Sequence, residues 1–242
     1  ERVVSLALGL GYRHVDTAVR YGNEVGVGRG IAASGLPRAQ VFVTTKLDGP
    51  FQGEGRAVAG LDESLQRLGL DYVDLLLIHW PLPSRDLYVS TWRTFERLQT
   101  DGKARSIGVS NFKPAHLERL ARETGVVPAV NQIQLNPTIQ RQDHVDYHLD
   151  HGIATVSYTP LGRERAPLND PTIVGIAARL GRTPAQVILR WHVQSGFVPI
   201  PKSANEQRLR ENLDVYGFEL TRDDMVAIGE LDTGVGTDSD EK

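Results

Sequence analysis

Cysteine is absent from the 242 residues, and methionine occurs once. Without a thiol there is no disulfide framework, no thiolate metal site and no cysteine nucleophile, and a chain of this kind suits a reducing cytosol. A cytoplasmic location is therefore expected. Long apolar runs are also lacking: stretches such as Leu75–Ile78 fall far short of the ~20 residues a membrane-spanning helix needs. Neither sign of charge dominates, since 27 Lys and Arg stand against 30 Asp and Glu for a net of −3. That balance offers no strong positive field to a phosphate backbone or an anionic bilayer, so neither nucleic acid nor a membrane is an expected partner. No P-loop, G-x-S-x-G or H-E-x-x-H motif occurs in the sequence.

What is present suits a packed domain, with 40% hydrophobic and 24% charged residues. Short β-rich runs alternate with amphipathic helical patterns along the whole chain, the mark of βα units around a parallel sheet. Strands are predicted at Tyr12–Thr17, Val41–Lys46, Asp74–His79, Ser106–Ser110, Ala129–Gln132, Thr155–Tyr158 and Val198–Pro201. Helices are predicted at Arg2–Gly9, Glu24–Ser34, Arg56–Leu68, Val89–Thr100, Pro114–Glu123, Gln142–His151, Thr172–Leu180, Pro184–Gln194, Glu206–Val215 and Arg222–Gly229. Pro114 and Pro184 fit the first helical turn, and Gly69, Gly102, Gly125, Gly152 and Gly181 fit helix C-caps.

The expected fold is α/β, a (β/α)8 TIM barrel forming a single domain over residues 1–242. A tail at 232–242 ends in a frayed acidic stretch, Asp238–Lys242. A closed parallel barrel needs eight strands, yet the first predicted strand already follows a helix, and Glu1 opens without an initiator Met or a leader pattern. The first strand is therefore expected to lie outside this sequence. A monomer is expected.

Two patterns are set aside. Gly26-x-Gly28-x-Gly30 has the wrong spacing for a dinucleotide fingerprint and falls inside a predicted helix, so it reads as helix packing. His144, His148 and His151 share one predicted helix and read as a solvated face rather than as metal ligands.

Asp16, Tyr21, Lys46 and His79 fall at or just beyond the C-terminal ends of three successive predicted strands, and in a (β/α) barrel those ends form the catalytic face. Each has an ordinary alternative: a turn carboxylate, a loop aromatic, a snorkelling lysine, a satisfied strand-end imidazole. Their local wording is more specific. Asp16-Thr17-Ala18-x-x-Tyr21-Gly22-Asn23-Glu24, Thr44-Thr45-Lys46-Leu47 and Leu77-Ile78-His79-Trp80-Pro81 resemble the aldo-keto reductase superfamily in order and spacing. The resemblance continues through Gly108-Val109-Ser110-Asn111-Phe112, Asn131-Gln132, Ser157-Tyr158-Thr159-Pro160-Leu161-Gly162 and Ile200-Pro201-Lys202-Ser203, covers essentially the whole chain, and includes diketogluconate-reductase-like members.

The resemblance implies NADPH-dependent reduction of aldehydes or ketones, with Tyr21 as proton donor, Lys46 and Asp16 as the pair that tunes it, and His79 orienting the substrate. The chemistry is coherent. Hydride arriving at a carbonyl places negative charge on its oxygen, so an acid within hydrogen-bond reach lowers the barrier. An ammonium beside a phenol stabilises the phenolate, and a buried ammonium needs a carboxylate.

The resemblance further implies that Ser110, Asn111 and Gln132 bind the nicotinamide carboxamide, that Tyr158 stacks on its ring, and that Leu161 and Gly162 line the pyrophosphate. Turn chemistry is the plain alternative for Asn131, Gln132 and Asn136. Lys202, Ser203 and Arg208 resemble a clamp for the 2′-phosphate of NADPH (NADP+), with Asn212 one turn further on near the adenine. Ser203 and Glu206 also read as a capping box, which leaves the two cations at a helix start without a reason unless an anion joins them. Trp80, Phe51 and the loop Leu82–Leu87 are expected to shape the substrate pocket. Asp48-Gly49 stands where relatives commonly place an aromatic residue, which implies a more polar or open pocket. Two other readings compete: a non-catalytic nucleotide-binding regulatory barrel, and a Schiff-base lyase using Lys46 as nucleophile.

Overall fold

Strand β2 (Phe42–Leu47) and strand β3 (Val73–Ile78) are buried along their length except at Phe42, as expected of parallel strands covered on both faces. Both appear in the computed structural model, which describes every residue except 163–166, 235, 238 and 241–242. The described chain divides into two compact units. One comprises Glu1–Asn131, His151–Ile153 and the described residues after 238; the other comprises Gln132–Asp150 and Ala154–Thr237.

The first unit runs α1 (Arg2–Leu10), β1 (His14–Asp16), a 3-10 turn at Val19–Tyr21, α2 (Glu24–Ala33), β2, a 3-10 turn at Gly49–Phe51, α3 (Glu54–Leu68) and β3. It continues through α4 (Tyr88–Thr100), β4 (Ala104–Ser110) and α5 (Pro114–Glu123) to the first two residues of β5 (Val130–Gln134). β1, β2, β3 and β4 pair in parallel in chain order.

The register decides which side chains meet. Asp16 lies opposite Thr44 and Lys46 opposite Leu77. Side chains alternate along a strand, so Asp16, Thr44, Lys46, Leu77 and the position two beyond Leu77, His79, share one face. The ladder runs one residue past β3, because His79 N–H donates to the Leu47 carbonyl at 3.1 Å. The other face packs on helices through Val43, Leu47, Leu61 and Leu65, all buried. Gly28 of α2 lies where an added Cβ would overlap the Leu68 carbonyl of α3, which bears out helix packing for the glycine pattern.

The second unit holds the rest of β5, then α6 (Gln142–Asp150), β6 (Ala154–Tyr158), α7 (Pro171–Leu180), α8 (Pro184–Gln194), β7 (Val198–Ile200), α9 (Glu206–Leu213) and α10 (Arg222–Gly229). β6 and β7 pair in parallel. Ile133, Ile173, Val187, Trp191 and Ile228 form its core. Asp170, Thr183 and Thr221 cap α7, α8 and α10 with their side-chain oxygens.

All seven predicted strands occur, with boundaries shifted by at most two residues. Three expectations need correction. Gly125 is not a C-cap: α5 ends at Thr124 in extended backbone, its N–H on the Leu120 carbonyl. The histidine set expected to form a solvated helix face is not solvated at two of its three positions, and the third, His151, lies just past the end of α6. His144 and His148 are buried, with Nδ1 atoms 2.9 Å from Asp143 Oδ1 and Thr155 Oγ1, whereas His151 is exposed. Burial pushes His148 down to about 4. The helix α9 is capped by Asn205, whose Oδ1 accepts from Arg208 N–H at 3.0 Å, and not by Ser203. In the predicted frayed stretch Asp238, Glu241 and Lys242 lie outside the described residues, while Asp240 is held by Lys113 at 2.5 Å and by His116 at 3.2 Å. Among the described residues, no helix is long and apolar enough to cross a membrane.

Candidate active site

The face set by the β1–β2–β3 register gathers four of the residues singled out above. Lys46 is 1% exposed, and its ammonium bonds the carboxylate of Asp16 and donates to the Thr17 carbonyl at 2.9 Å. A bare ammonium at that depth would be strongly disfavoured, so the carboxylate is what allows the charge to stay there. The same Nζ lies 3.5 Å from the hydroxyl of Tyr21, which is 48% exposed, and 5.1 Å from the centre of its ring. Tyr21 reaches this position from the 3-10 turn after β1, which Gly22 ends in the left-handed region at φ 62°.

His79 completes the cluster. Its ring meets the Tyr21 ring edge-on, the centroids 5.8 Å apart, and stacks on Trp80 with centroids 6.5 Å apart. Burial first, then the nearby Lys46 and Arg20 cations, push its imidazole down to about 4. It is therefore neutral near pH 7 and donates from one nitrogen only. Its Nδ1 is buried without a hydrogen-bond partner among the described residues.

Side-chain amides fix the backbone beneath this imidazole. Asn111, in the left-handed region at φ 64°, donates from Nδ2 to the His79 carbonyl at 3.0 Å and to Ser110 Oγ at 3.0 Å. Gln52, fully buried, donates to the Trp80 carbonyl at 2.7 Å. Nothing in the residue pattern singles Gln52 out, because a lone glutamine after a turn carries no spacing signal. Asn131 does no turn chemistry: its amide brackets Phe112, accepting from N–H at 3.4 Å and donating to C=O at 2.8 Å. Asn136 does, accepting from Thr138 N–H at 3.0 Å.

A second ion pair flanks the cluster. Arg20 donates from Nε at 3.1 Å and Nη2 at 3.0 Å to one oxygen of Asp48. The guanidinium of Arg85 holds the next carbonyl, Gly49, at 2.6 Å. Phe51 lies against Gly60 of α3.

In the second unit, Gln132 is buried in β5, Tyr158 ends β6 half-buried, and Asn212 is buried on α9. Leu161 turns its side chain onto the core of that unit, and Gly162 holds a turn at φ 75°. Lys202 and Arg208 are exposed and make no ion pair among the described residues, beside a Ser203 hydroxyl that is tied to Asn205 at 3.1 Å. Two unpaired cations at the entry to a helix suit an anion. Among the described residues no group of three or more His, Asp or Glu is placed to hold a metal.

Comparison with known proteins agrees with this geometry. The model of the aldo/keto reductase family matches residues 1–233. An aldo-keto reductase of Mycolicibacterium smegmatis is 51% identical over 97% of this chain and 85% of its own. A solved aldo/keto reductase from Brucella melitensis is 49% identical with a TM-score of 0.93, over 96% of this chain and 89% of its own. A mutant of the protein Gox0644, solved in complex with NADPH, is 46% identical with a TM-score of 0.94, over 98% of this chain and 87% of its own. A buried lysine–aspartate pair below an exposed tyrosine, on a sheet that these relatives share, leads to one assignment: the chain belongs to the aldo/keto reductase family of oxidoreductases and has their (β/α)-barrel fold.

Proposed function

We propose that this protein reduces aldehydes or ketones to alcohols with NADPH, and that Tyr21 gives the proton. The observation that carries this reading is the contact of the buried Lys46 ammonium with both the Asp16 carboxylate and, at 3.5 Å, the Tyr21 hydroxyl. When bound, NADPH supplies the hydride to the carbonyl carbon. The carbonyl oxygen gains negative charge and takes the phenolic proton of Tyr21, which faces solvent on one side and Lys46 on the other. The phenolate left behind faces the ammonium, and Asp16 keeps that ammonium in place. A neutral His79 orients the substrate oxygen with a single N–H and adds no charge of its own.

The nucleotide reading rests on family membership and on donors suited to each part of the cofactor. Ser110, Asn111 and Gln132 carry the hydroxyl and amides that bind a carboxamide, and Tyr158 offers a flat face to the nicotinamide. Leu161 and Gly162 serve the pyrophosphate through the backbone of their turn. Lys202, Ser203 and Arg208 would take the 2′-phosphate, with Asn212 toward the adenine. Trp80 and Phe51 are proposed as pocket residues. The ion-paired state of Lys46, with its nitrogen directed at Asp16, Thr17 and Tyr21, speaks against a Schiff-base nucleophile, which needs a free lone pair.

The test is loss of NADPH absorbance in the presence of aldehydes, ketones and keto sugars. Tyr21→Phe should lower kcat about 10²–10⁴-fold, the range a general acid contributes, while NADPH binding measured by fluorescence stays within about 3-fold. Undiminished turnover in Tyr21→Phe overturns the proton assignment. Tight NADPH binding without turnover on any carbonyl favours a regulatory barrel.

A further inference from the structure

We propose that Glu24 is a positioning residue that sets the distance between Tyr21 and Lys46, acting through Thr45; this rests on the reading of Tyr21 as proton donor. Glu24 is a carboxylate of 2% exposure that the chemistry above leaves without a task. Its Oε1 accepts from Thr45 Oγ1 at 2.6 Å, and its Oε2 accepts from Arg67 Nε of α3 at 2.7 Å. The position in the chain gives this contact its meaning. Thr45 precedes Lys46 on β2, and because side chains alternate, Thr45 meets the helices while Lys46 meets Asp16 and Tyr21. Glu24 begins α2 three residues after Tyr21. One carboxylate therefore ties the backbone that carries the ammonium to the backbone that carries the phenol.

Tyr21 needs such a tie. Its ring is half exposed, and among the described residues its hydroxyl contacts only Lys46, at 3.5 Å. The edge of the His79 ring and the Lys46 ammonium border its ring, and the rest of its placement is inherited from its turn. A second clamp closes that turn: Thr17 Oγ1 donates to Asn23 Oδ1 at 2.7 Å, and the Thr17 carbonyl takes the Lys46 ammonium at 2.9 Å. With Thr17 before the turn and Asn23 and Glu24 after it, both of its ends are fixed to β2. Proton transfer is steep in donor geometry, so loosening this frame lowers the chemical step before it lowers binding.

Steady-state kinetics with NADPH and one turned-over aldehyde test this in four variants. Thr45→Val removes only the hydroxyl and is expected to lower kcat about 5- to 10-fold with the KM for NADPH unchanged and the pH profile of kcat displaced. Glu24→Ala is expected to lower kcat more than 10-fold, and Glu24→Gln, which keeps an acceptor for Thr45, to recover most of that loss. Glu63→Gln breaks the exposed ion pair of Arg67 at 3.1 Å without touching β2 and is expected to leave kcat unchanged. If Glu24→Ala does not fold, Thr45→Val decides alone. A folded Thr45→Val with wild-type kcat and pH profile overturns the proposal, and so does a kcat loss that Glu63→Gln reproduces. Failure of the proton-donor reading is read separately, from Tyr21→Phe retaining turnover.

Discussion

The imidazole of His79 stands edge-on to the ring of Tyr21 at an interplanar angle of 85°. Held near 4 by burial and by the Lys46 and Arg20 cations, it stays neutral across the range in which a free histidine titrates. The pH profile of kcat/KM is therefore expected to show no inflection near 6.5, with any acid limb due to His79 falling close to pH 4. His79→Ala should lower kcat/KM about 10²-fold, as loss of one donor to a developing oxyanion does. A wild-type limb at 6.5 that disappears in His79→Ala would show that the imidazole titrates normally.

Three buried histidines also tie stability to pH. His79, His148 and His192 are each lowered to about 4, in every case mainly by burial. The unfolded chain binds protons near 6.5 and the folded chain does not until about 4. Stability is thus fully present above about pH 6.5 and is lost as pH falls from there to about 4, by up to ~1.4 kcal/mol per pH unit for each histidine. Urea denaturation at pH 7 and pH 5 should show the drop. His192→Gln, which removes the imidazole that bonds Ser157 Oγ and the Ile188 carbonyl, should lower stability at pH 7 but flatten the pH dependence.

If Lys202 and Arg208 hold the 2′-phosphate as proposed, they separate the two nicotinamide cofactors. Each makes no ion pair among the described residues, so a bound phosphate would be its partner. Lys202→Ala or Arg208→Ala should weaken NADPH binding about 10-fold or more, since charged hydrogen bonds contribute ~1.5–3 kcal/mol. NADH binding should change less than about 3-fold. Equal losses for both cofactors in a fluorescence titration would remove these cations from the 2′-phosphate.

Two glycines in helices should respond to alanine with opposite signs. At Gly28 the new methyl would overlap the Leu68 backbone, which flexible side chains cannot relieve, so Gly28→Ala should destabilise by at least ~1–3 kcal/mol. At Gly175, mid-way along α7, nothing lies within 4 Å of the new Cβ. There Gly175→Ala should stabilise by about 0.5–1 kcal/mol, because the unfolded chain loses freedom. Chemical denaturation of both variants checks the pair.

The seven strands were legible because they are local in form: a buried run such as Val73–Ile78 bounded by turn residues declares a strand. Asp16, Tyr21, Lys46 and His79 stand at or just beyond strand ends, but position left each an ordinary alternative, and it was the resemblance of the surrounding motifs to a family that singled them out. Where the reading failed, several local patterns were equally good. Ser203-x-x-Glu206 and Asn205-x-x-Arg208 both spell a helix start, and only the backbone path brings the Asn205 oxygen to the Arg208 amide. His144 and His148 have the spacing of a face that is equally able to be wet or dry, and Thr155, seven residues beyond His148 in sequence, decides for the interior.

By itself the sequence determined which segments would form helices and strands, because helix and strand periods, caps and strand ends are set by neighbours along the chain, and its motifs resembled a family closely enough to nominate the side chains proposed for the chemistry. Only the tertiary structure decided the distances: the β1–β2–β3 register that sets Asp16 and Lys46 on the same face, and the pairing of Glu24 with Thr45 across 21 positions. Registers and buried ion pairs are chosen by packing between segments, and no pattern confined to one segment encodes them.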